Sequence, residues 1–252
     1  FFKKMIHLRK IGIRILENAS RVIFLSSAYQ NEVIEKMIPE RLREKIRNQS
    51  VVIPNGIDNF WFENIGSPKT IEGKKEIRLL YVGEISKNKN VQATIRAMEQ
   101  LDNIESALSY TLTAVGKIKD RNLYAHLIAS SHFSYIEPQK KEKLIRIYRD
   151  HDIFVMPSIH ETFGLVYAEA MSQGLPVVYT RGQGFDGQFD DGDVGYAVDC
   201  FNEEEIGNSI RKVINKYTGI SSHCIFNIER FSWECISKNY ANLYNGVIKE
   251  KC

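Results

Sequence analysis

Short apolar segments alternate with amphipathic segments through the centre of the chain. Five apolar segments have the length and residue types of buried strands, at 77–82, 109–115, 132–136, 153–156 and 176–179. The segments between them carry apolar residues at helical spacing and predict helices over about 90–101, 120–130, 138–149 and 165–173. Strands that alternate with helices favour right-handed crossovers, so we predict an α/β fold with a doubly wound parallel sheet.

The segments on either side of this region predict further elements. Two apolar segments, 21–25 and 50–54, predict short strands before it, and Ser26 or Ser27 can cap the helix that follows the first strand. Residues 63–76 are polar and contain Gly and Pro, which indicates a linker. After the last strand, the pattern predicts helices over 203–216 and 232–249. We therefore divide the chain into three parts, at 1–62, 63–230 and 231–252.

A basic amphipathic helix is predicted over residues 3–17. Its apolar positions are surrounded by five cations, Lys3, Lys4, Arg9, Lys10 and Arg14. Such a helix can lie on an anionic membrane surface. The pattern favours a helix that packs on its own domain and presents its charges to water, and the membrane interpretation stays open.

Composition narrows the class of protein. The 252 residues are 43% hydrophobic and 26% charged, with a net charge of +3, which gives no case for nucleic-acid binding. No apolar run approaches the roughly 18 residues that a membrane span requires. The four cysteines show no CxxC spacing and predict reduced thiols of a cytoplasmic protein, not a metal site; they are Cys200, Cys224, Cys235 and Cys252.

The segment HETFGLVYAEAMSQGLPVV, residues 160–178, has the strongest chemical pattern. Glu161 and Glu169 flank the predicted start of a helix, and Gly164 lies between them. A helix N-terminus has unpaired N–H groups that suit a phosphate, and a glycine there allows close approach. Carboxylates accept hydrogen bonds from sugar hydroxyls. The combination predicts a nucleotide-sugar site, although two glutamates on a surface helix are more often merely solvated.

This segment resembles the Glu-x7-Glu signature of the retaining glycosyltransferases of family 4, which have the GT-B fold with two Rossmann-like domains. Residues 54–58, PNGID, resemble the point at which the family's chain leaves its first domain. Residues 231–233, FSW, resemble its closing segment. The resemblance implies that 1–62 ends an incomplete N-terminal acceptor domain, that 63–230 binds the donor, and that 231–252 is a helix returning toward the first domain.

The resemblance also implies roles for individual residues. Glu161 would contact the donor sugar as the catalytic residue, and Glu169 would hold the ribose hydroxyls of the nucleotide. The backbone N–H groups that follow Phe163, at Gly164 and Leu165, would hold phosphate. His160 beside them is interpreted as an ordinary loop residue.

The loop at 83–90, GEISKNKN, is a second candidate for the diphosphate. Gly83 allows close backbone approach, and Lys87 and Lys89 offer positive charge. The loop resembles the family's Gly-Arg-Leu-x3-Lys segment, with Lys89 at the family lysine and Glu84 at the family arginine. Since a carboxylate does not bind phosphate, half of the expected cationic clamp is missing.

Two further loops complete the expected donor site. Gly116 ends a strand where the family binds its nucleobase, largely through backbone groups. Residues 180–195 correspond to a loop in which the family often has Gly-Gly-x-x-Glu, and here Gly187 stands at the last of these positions. Its glycines suggest a mobile loop near the sugar, and its acidic run is also compatible with a solvated turn.

The function implied is retaining transfer of a hexose-type sugar from a nucleoside diphosphate sugar to a glycan or lipid-linked acceptor, in surface polysaccharide synthesis at the cytoplasmic membrane face. We expect no metal and no cofactor besides the donor substrate, and no nucleic-acid partner. Two alternatives stay open. One is a nucleotide-binding fragment without transferase activity, and the other is a nucleotide-sugar epimerase of the same fold.

Overall fold

The larger of two sheets contains six parallel strands. The computed structural model describes residues 6–104 and 107–251. The strands of this sheet are β3 (Glu76–Val82), β4 (Ser109–Val115), β5 (Phe133–Ile136), β6 (Ile153–Met156), β7 (Val177–Thr180) and β8 (Gly195–Val198). Their spatial order is β5-β4-β3-β6-β7-β8, with every neighbouring pair parallel. The predicted doubly wound parallel sheet is confirmed.

Helices surround both sheets. They are α1 (Ile6–Asn18), α2 (Ser27–Met37), α3 (Glu40–Asn48), α4 (Asn59–Glu63), α5 (Val91–Ile104), α6 (Arg121–Leu127), α7 (Lys141–Asp150), α8 (Leu165–Ser172), α9 (Glu203–Asn215), α10 (Tyr217–Asn227) and α11 (Trp233–Lys251). Among the described residues the structure also has two short 3-10 helices, Lys87–Lys89 and Ile228–Phe231. Because β6, β7 and β8 are buried at every position, their sequences are continuous apolar runs instead of alternating ones.

The strand order creates a crevice at one place in the larger sheet. The chain builds outward from β3 through β4 to β5, and then returns to add β6, β7 and β8 on the other side of β3. The connections that leave β3 and β6 therefore diverge to opposite sides, and a crevice opens beyond the carboxyl ends of these two strands. The loops at 83–90 and 157–164 border it.

The first part of the chain forms a smaller unit with its own core. Its strands β1 (Val22–Phe24) and β2 (Ser50–Val52) pair in parallel, and α1, α2 and α3 pack beside them. Four buried side chains make the core, to which α1 contributes; they are Ile34, Ile38, Leu42 and Ile46. Ser26 caps α2 by accepting the Tyr29 N–H at 3.1 Å, as predicted. Residues 3–5 of the predicted first helix lie outside the described residues.

The two units are joined through residues 53–58 and by contacts from the end of the chain. The Ile57 N–H donates to the Phe231 carbonyl at 3.0 Å. Gly56 lies under the indole of Trp233, where an added Cβ would be 2.8 Å from the ring. The Gln188 side chain donates to the Leu25 carbonyl at 2.9 Å. Ile57 and Trp61 are buried in the core of the larger unit.

Several elements differ from the sequence-based prediction, among them α3 and α4, which were not predicted. α7 begins at Lys141 and not at Pro138, because residues 137–140 form an irregular connection. β8 was not predicted, since its four residues follow directly on a Gly- and Asp-rich loop. α10, YTGISSHCIFN, was not predicted because it combines Gly, Ser and β-branched residues with no clear apolar period, and packing against α8 stabilises it.

Within residues 6–104 and 107–251, none of the helices combines the length and the apolar character that a membrane span needs. Cys200, Cys224 and Cys235 are free thiols, in agreement with the predicted reduced state, and Cys252 is outside the described residues.

Candidate functional site

An ion pair connects the two loops that border the crevice. Lys89 lies at the end of the 3-10 helix that follows β3, and Glu161 follows β6. The Lys89 Nζ is 2.5 Å from the Glu161 Oε2, and their side chains are only 18% and 15% exposed. The structure thus brings together two residues that the sequence separates by 71 intervening positions. Both were predicted to bind the donor, through the phosphate and the sugar respectively.

Two asparagines hold the paired loops in register. Asn88 donates its amide to the His160 carbonyl at 2.9 Å and accepts the His160 N–H at 3.1 Å. Asn90 adopts a left-handed conformation with a φ of 53°, and its buried amide donates to the Pro157 and Cys200 carbonyls. A left-handed backbone is unusual for a residue with a side chain, although asparagine tolerates it better than most. These bonds fix where Lys89 and Glu161 meet.

The loop at 180–195 supports Glu161 from the other side. The Gln183 Oε1 accepts the Glu161 N–H, and the Gly184 N–H donates to the Glu161 carbonyl, both at 2.9 Å. Two acids of this loop accept backbone hydrogen bonds: Asp186 accepts the Gly182 N–H within the loop at 2.7 Å, and Asp191 accepts the Ala197 N–H of β8 at 2.9 Å. Both residues lie in turns, with Asp191 exposed and Asp186 partly exposed, so the interpretation of the acidic run as a solvated turn stays open.

The N-terminus of α8 begins beside this ion pair. Gly164 precedes the helix with a φ of 80°, and an added Cβ would lie 2.5 Å from the Tyr167 ring. Phe163 is buried, with its ring 6.0 Å from that of Phe231, whereas Leu165 is 39% exposed. The first N–H groups of an α-helix have no acceptor within the helix, so those at Gly164 and Leu165 can bind an anion.

Glu169 lies farther along α8, about 7 Å beyond Gly164 by the rise of the helix, and it does not contact Glu161. Tyr148 donates its hydroxyl to the Glu169 Oε2 at 3.2 Å. Burial raises the pKa of Glu169 from its ordinary value of 4.5 to about 7, against the opposing hydrogen bonds from Tyr148 and Trp61. At neutral pH this carboxyl group therefore lies near the midpoint of its titration.

Gly83 and Gly116 pack against each other where β3 and β4 end. A Cβ at Gly116, whose φ is 152°, would lie 1.8 Å from the Gly83 carbonyl oxygen, so only glycine fits there. The Tyr135 hydroxyl donates to the Gly116 carbonyl at 2.9 Å. These contacts place both predicted glycines at the carboxyl edge of the sheet.

The structure separates Lys87 and Glu84 from the ion pair. Lys87 is exposed and lines a groove of about 470 Å³ between α5 and α6, together with Arg96 and Asp120. Glu84 instead pairs with Lys119, with 2.6 Å between carboxylate and ammonium. The carboxylate at the position of the family arginine is thus neutralised by a cation from the loop after β4.

Sequence reasoning missed several residues that shape this site: Trp61, Asn88, Lys119, Tyr148 and Gln183. The two aromatic residues have the spacing of ordinary core positions, so no local signal distinguishes them. Asn88, Lys119 and Gln183 act across loops that are distant in sequence, and their roles depend on the strand order. Within the part of the chain that the structure describes, no three His, Cys, Asp or Glu side chains are grouped so that they could hold a metal ion.

Comparison with known proteins decides the family. A family model described as "Glycosyl transferases group 1" matches residues 64–227 of the 252, which include all of the larger sheet and the site. The chain belongs to the group 1 glycosyltransferases. The resemblance seen in the Glu-x7-Glu segment is thereby confirmed at the level of the family.

Individual group 1 relatives match different shares of the chain. A D-inositol 3-phosphate glycosyltransferase of Corynebacterium kroppenstedtii is 29% identical over 119 residues, which is 46% of this chain and 26% of that protein. An uncharacterised glycosyltransferase of Methanocaldococcus jannaschii is 26% identical over 239 residues, or 89% of this chain and 59% of that protein. The chain thus spans between about a quarter and three fifths of the length of these relatives.

Solved structures show the same fold. The sucrose-phosphate synthase of Thermosynechococcus elongatus superposes with a TM-score of 0.74 at 20% identity, covering 96% of this chain and 62% of that one. The Anabaena protein Alr3699/HepE, solved in complex with UDP, superposes with a TM-score of 0.72 at 19% identity, covering 94% of this chain and 67% of that one. At these identities the similarity concerns the GT-B fold.

Proposed function

We propose that this chain binds the donor for a retaining glycosyltransferase, which moves a hexose-type sugar from a nucleoside diphosphate sugar to a glycan or lipid-linked acceptor. The observation that carries the proposal is the Lys89–Glu161 pair at the crevice, beside the N-terminus of α8. The cation and the helix amides match the diphosphate at a donor's reacting end, and the carboxylate at the same point matches its sugar hydroxyls.

The diphosphate is the part that the site must stabilise most as the sugar leaves. The N–H groups of Gly164 and Leu165 and the ammonium of Lys89 would bind its oxygens. Preorganised donors aimed at a developing negative charge are usually the largest catalytic contribution of an enzyme. In this proposal Lys89 leaves Glu161 when the diphosphate arrives, because the anion competes for the same ammonium.

The two glutamates would then bind the two sugars of the donor. Glu161, released from Lys89, accepts hydrogen bonds from the hydroxyls of the transferred sugar and orients it for attack by the acceptor on the face that the diphosphate leaves. Glu169, about one and a half turns along α8, accepts the ribose hydroxyls of the nucleotide. No metal or cofactor is required in this scheme, since Lys89 and the helix amides neutralise the diphosphate.

The acceptor side of the proposal involves the smaller unit. In this scheme residues 1–62 end an acceptor domain, 63–230 bind the donor and 231–252 return toward the first domain. α1 packs through Ile13 and Leu16, which supports the packed interpretation of this helix, and it leaves Leu8, Ile11 and Ile15 exposed. These exposed residues together with the basic ones support a contact with a membrane at its cytoplasmic face, where surface polysaccharides are assembled.

A panel of nucleotides tests the donor proposal. We would measure thermal unfolding of the 252-residue chain with UDP, GDP, ADP and their glucose conjugates in the presence of EDTA. Ligand at a hundred times its dissociation constant stabilises the folded state by about 2.7 kcal/mol. We expect one diphosphate to stabilise the chain and its sugar conjugate to bind more tightly still. No stabilisation by any of them would contradict the proposal.

Glu161→Gln separates the sugar contact from the nucleotide contact. The variant should bind the free diphosphate at least as tightly as the wild type, because no carboxylate competes for Lys89, and it should lose the additional affinity for the sugar conjugate. Equal affinity of wild type and variant for the conjugate would contradict the role of Glu161.

A second candidate function is nucleotide binding without transfer. It is favoured by Glu84, which stands where the family has a cation and is paired with Lys119. Transfer assayed with an acceptor extract and a radiolabelled donor distinguishes the two, because the second candidate gives binding without a labelled product. A free altered sugar as the product would instead indicate the epimerase.

A further inference from the structure

The carboxyl group of Glu169 accepts a hydrogen bond from one buried aromatic side chain, Tyr148, against which a second, Trp61, packs. Tyr148, on α7, is fully buried and donates its hydroxyl to the Glu169 Oε2 at 3.2 Å. Trp61, on α4, is 2% exposed and meets the Tyr148 ring edge to face, with 5.5 Å between centroids and an interplanar angle of 85°. Phe154 packs on the far side of Tyr148. Neither aromatic ring can turn without disturbing the other.

We propose that Tyr148 and Trp61 are positioning residues that hold the Glu169 carboxyl group for the ribose, and that they help to set the pH range in which the nucleotide binds. The inference rests on the proposed function, because it takes Glu169 as the ribose contact. The inference adds two residues that do not touch the donor. It also adds a dependence of nucleotide affinity on pH, which the proposed reaction alone does not require.

The pH dependence follows from two opposing influences on Glu169. Burial disfavours the charged carboxylate and raises its pKa to about 7, whereas the hydrogen bonds from Tyr148 and Trp61 favour the charged form. Ribose hydroxyls that donate to the carboxylate also favour the charged form. Nucleotide binding should therefore lower the pKa of Glu169 and release a proton, and affinity should fall as the pH drops below about 7.

The charged groups near Glu169 come from the same two elements. Lys141, on α7, lowers its pKa and Asp58, just before α4, raises it. These two residues pair with each other at 2.5 Å, so their effects largely cancel.

Other elements packed against α8 also carry titratable groups: Tyr179 lies on β7, and Tyr217, Cys224 and the exposed His223 lie on α10. On α10, Tyr217 donates to the Asp152 carbonyl and Cys224 to backbone carbonyls. Arg230, in the 3-10 helix after α10, stacks on Phe189. Substitutions at Tyr148 and Trp61 can therefore change the pKa of Glu169 without changing the charge of a neighbouring residue.

The affinity of UDP-glucose, which lacks the terminal phosphate of UDP that titrates at about pH 6, tests the inference between pH 5.5 and 8.5 in wild type and Tyr148→Phe. We expect wild-type affinity to fall roughly tenfold per pH unit below its midpoint, as for a single proton. Loss of the Tyr148 hydroxyl should raise that midpoint by about one pH unit, because a hydrogen bond to a charged group is lost. Trp61→Phe should shift it in the same direction.

Tyr217→Phe is the matched control. It also removes a buried hydroxyl hydrogen bond, here to the Asp152 carbonyl at 2.7 Å, but it does not face Glu169. It should lower stability as Tyr148→Phe does, but the midpoint of the pH dependence of nucleotide binding should stay at its wild-type value. If the midpoint of the pH dependence were the same in Tyr148→Phe as in the wild type, the inference would be overturned. The proposed function would still hold in that case, because the nucleotide would still bind.

A direct titration of Glu169 keeps the inference testable without a nucleotide. The ¹³C carboxyl signal of Glu169, assigned by its absence from Glu169→Gln, should titrate near pH 7 in the wild type and higher in Tyr148→Phe. If none of the nucleotides of the panel binds at any pH, the proposed function is contradicted, and this titration still decides whether Tyr148 holds the carboxyl group. An unshifted signal in Tyr148→Phe would refute the positioning role.

Discussion

The Lys89 ammonium and the Glu161 carboxylate lie 2.5 Å apart across the crevice where the order of the large sheet reverses. Lys89 follows β3 and Glu161 follows β6, two strands that are neighbours in space but far apart in sequence. The position of the pair follows from the topology, because ligands of doubly wound sheets bind at this reversal. In the absence of a donor, each residue neutralises the other.

Lys89→Ala should weaken UDP binding by about ten- to a hundredfold, which corresponds to about 1.4 to 2.7 kcal/mol. The variant removes the cation that we assign to the diphosphate, and it leaves the Glu161 carboxylate without its partner close to the incoming anion. Isothermal titration calorimetry at fixed ionic strength measures the effect, since these contacts depend on salt.

Lys87→Ala is the matched control for charge. Lys87 lies two residues earlier but is exposed in the groove between α5 and α6. We expect its removal to change the affinity less than threefold. Equal losses in the two variants would indicate a general effect of net charge and contradict the specific role of Lys89.

Glu169→Gln should stabilise the chain at pH 8 by about 2 to 3 kcal/mol and leave its stability nearly unchanged at pH 4. The pKa of Glu169 is raised in the folded state from 4.5 to about 7, so the folded state holds the proton more tightly than the unfolded state. Its contribution to stability is complete below about pH 4.5 and is lost as the pH rises through 7. Urea unfolding at the two pH values measures this difference.

Glu234→Gln is a control in which the pKa of the replaced carboxyl group is shifted in the opposite direction, downward. Glu234 is exposed on α11, and its hydrogen bond with Lys238 lowers its pKa. Neutralising it should therefore give no gain in stability at pH 8. A gain in this variant, or none in Glu169→Gln, would show that the carboxyl group of Glu169 is not strained by burial.

Gly164→Ala should destabilise the fold by about 2 to 4 kcal/mol. The backbone at Gly164 has a φ of 80°, which disfavours any residue with a Cβ, and the added atom would lie 2.5 Å from the buried Tyr167 ring. Denaturant unfolding measures the loss. Since the residue begins α8, nucleotide binding should fall together with stability.

Gly246→Ala tests the same exchange without these constraints. Gly246 lies within α11, and an added Cβ there would meet no atom within 4 Å. Alanine should raise stability by about 0.5 to 1 kcal/mol, as expected for a glycine in a helix interior. If both variants lost stability to the same extent, strain at Gly164 would not be the cause.

Much of the fold could be predicted because buried parallel strands have continuous apolar sequences. The segment 109–115 was predicted with the bounds of β4, and the start of α8 follows from the Gly and apolar residues after Phe163. The Glu-x7-Glu segment is local, so a single stretch of sequence indicated both glutamates.

The remaining features depend on tertiary contacts. Glu84 pairs with Lys119 because β3 and β4 are adjacent in the sheet. Gln183 supports Glu161 because β6 and β7 are adjacent. Tyr148 occupies a helical core position like many others in the chain. No local pattern distinguishes it from a residue that only packs.

A crystal structure of the chain with UDP is the most direct test of the donor-site proposal. We predict the diphosphate within hydrogen-bond distance of the N–H groups of Gly164 and Leu165 and of the Lys89 ammonium, the Lys89–Glu161 pair opened, and the ribose hydroxyls on Glu169. UDP bound elsewhere, with Lys89 and Glu161 still paired at 2.5 Å, would contradict the proposal.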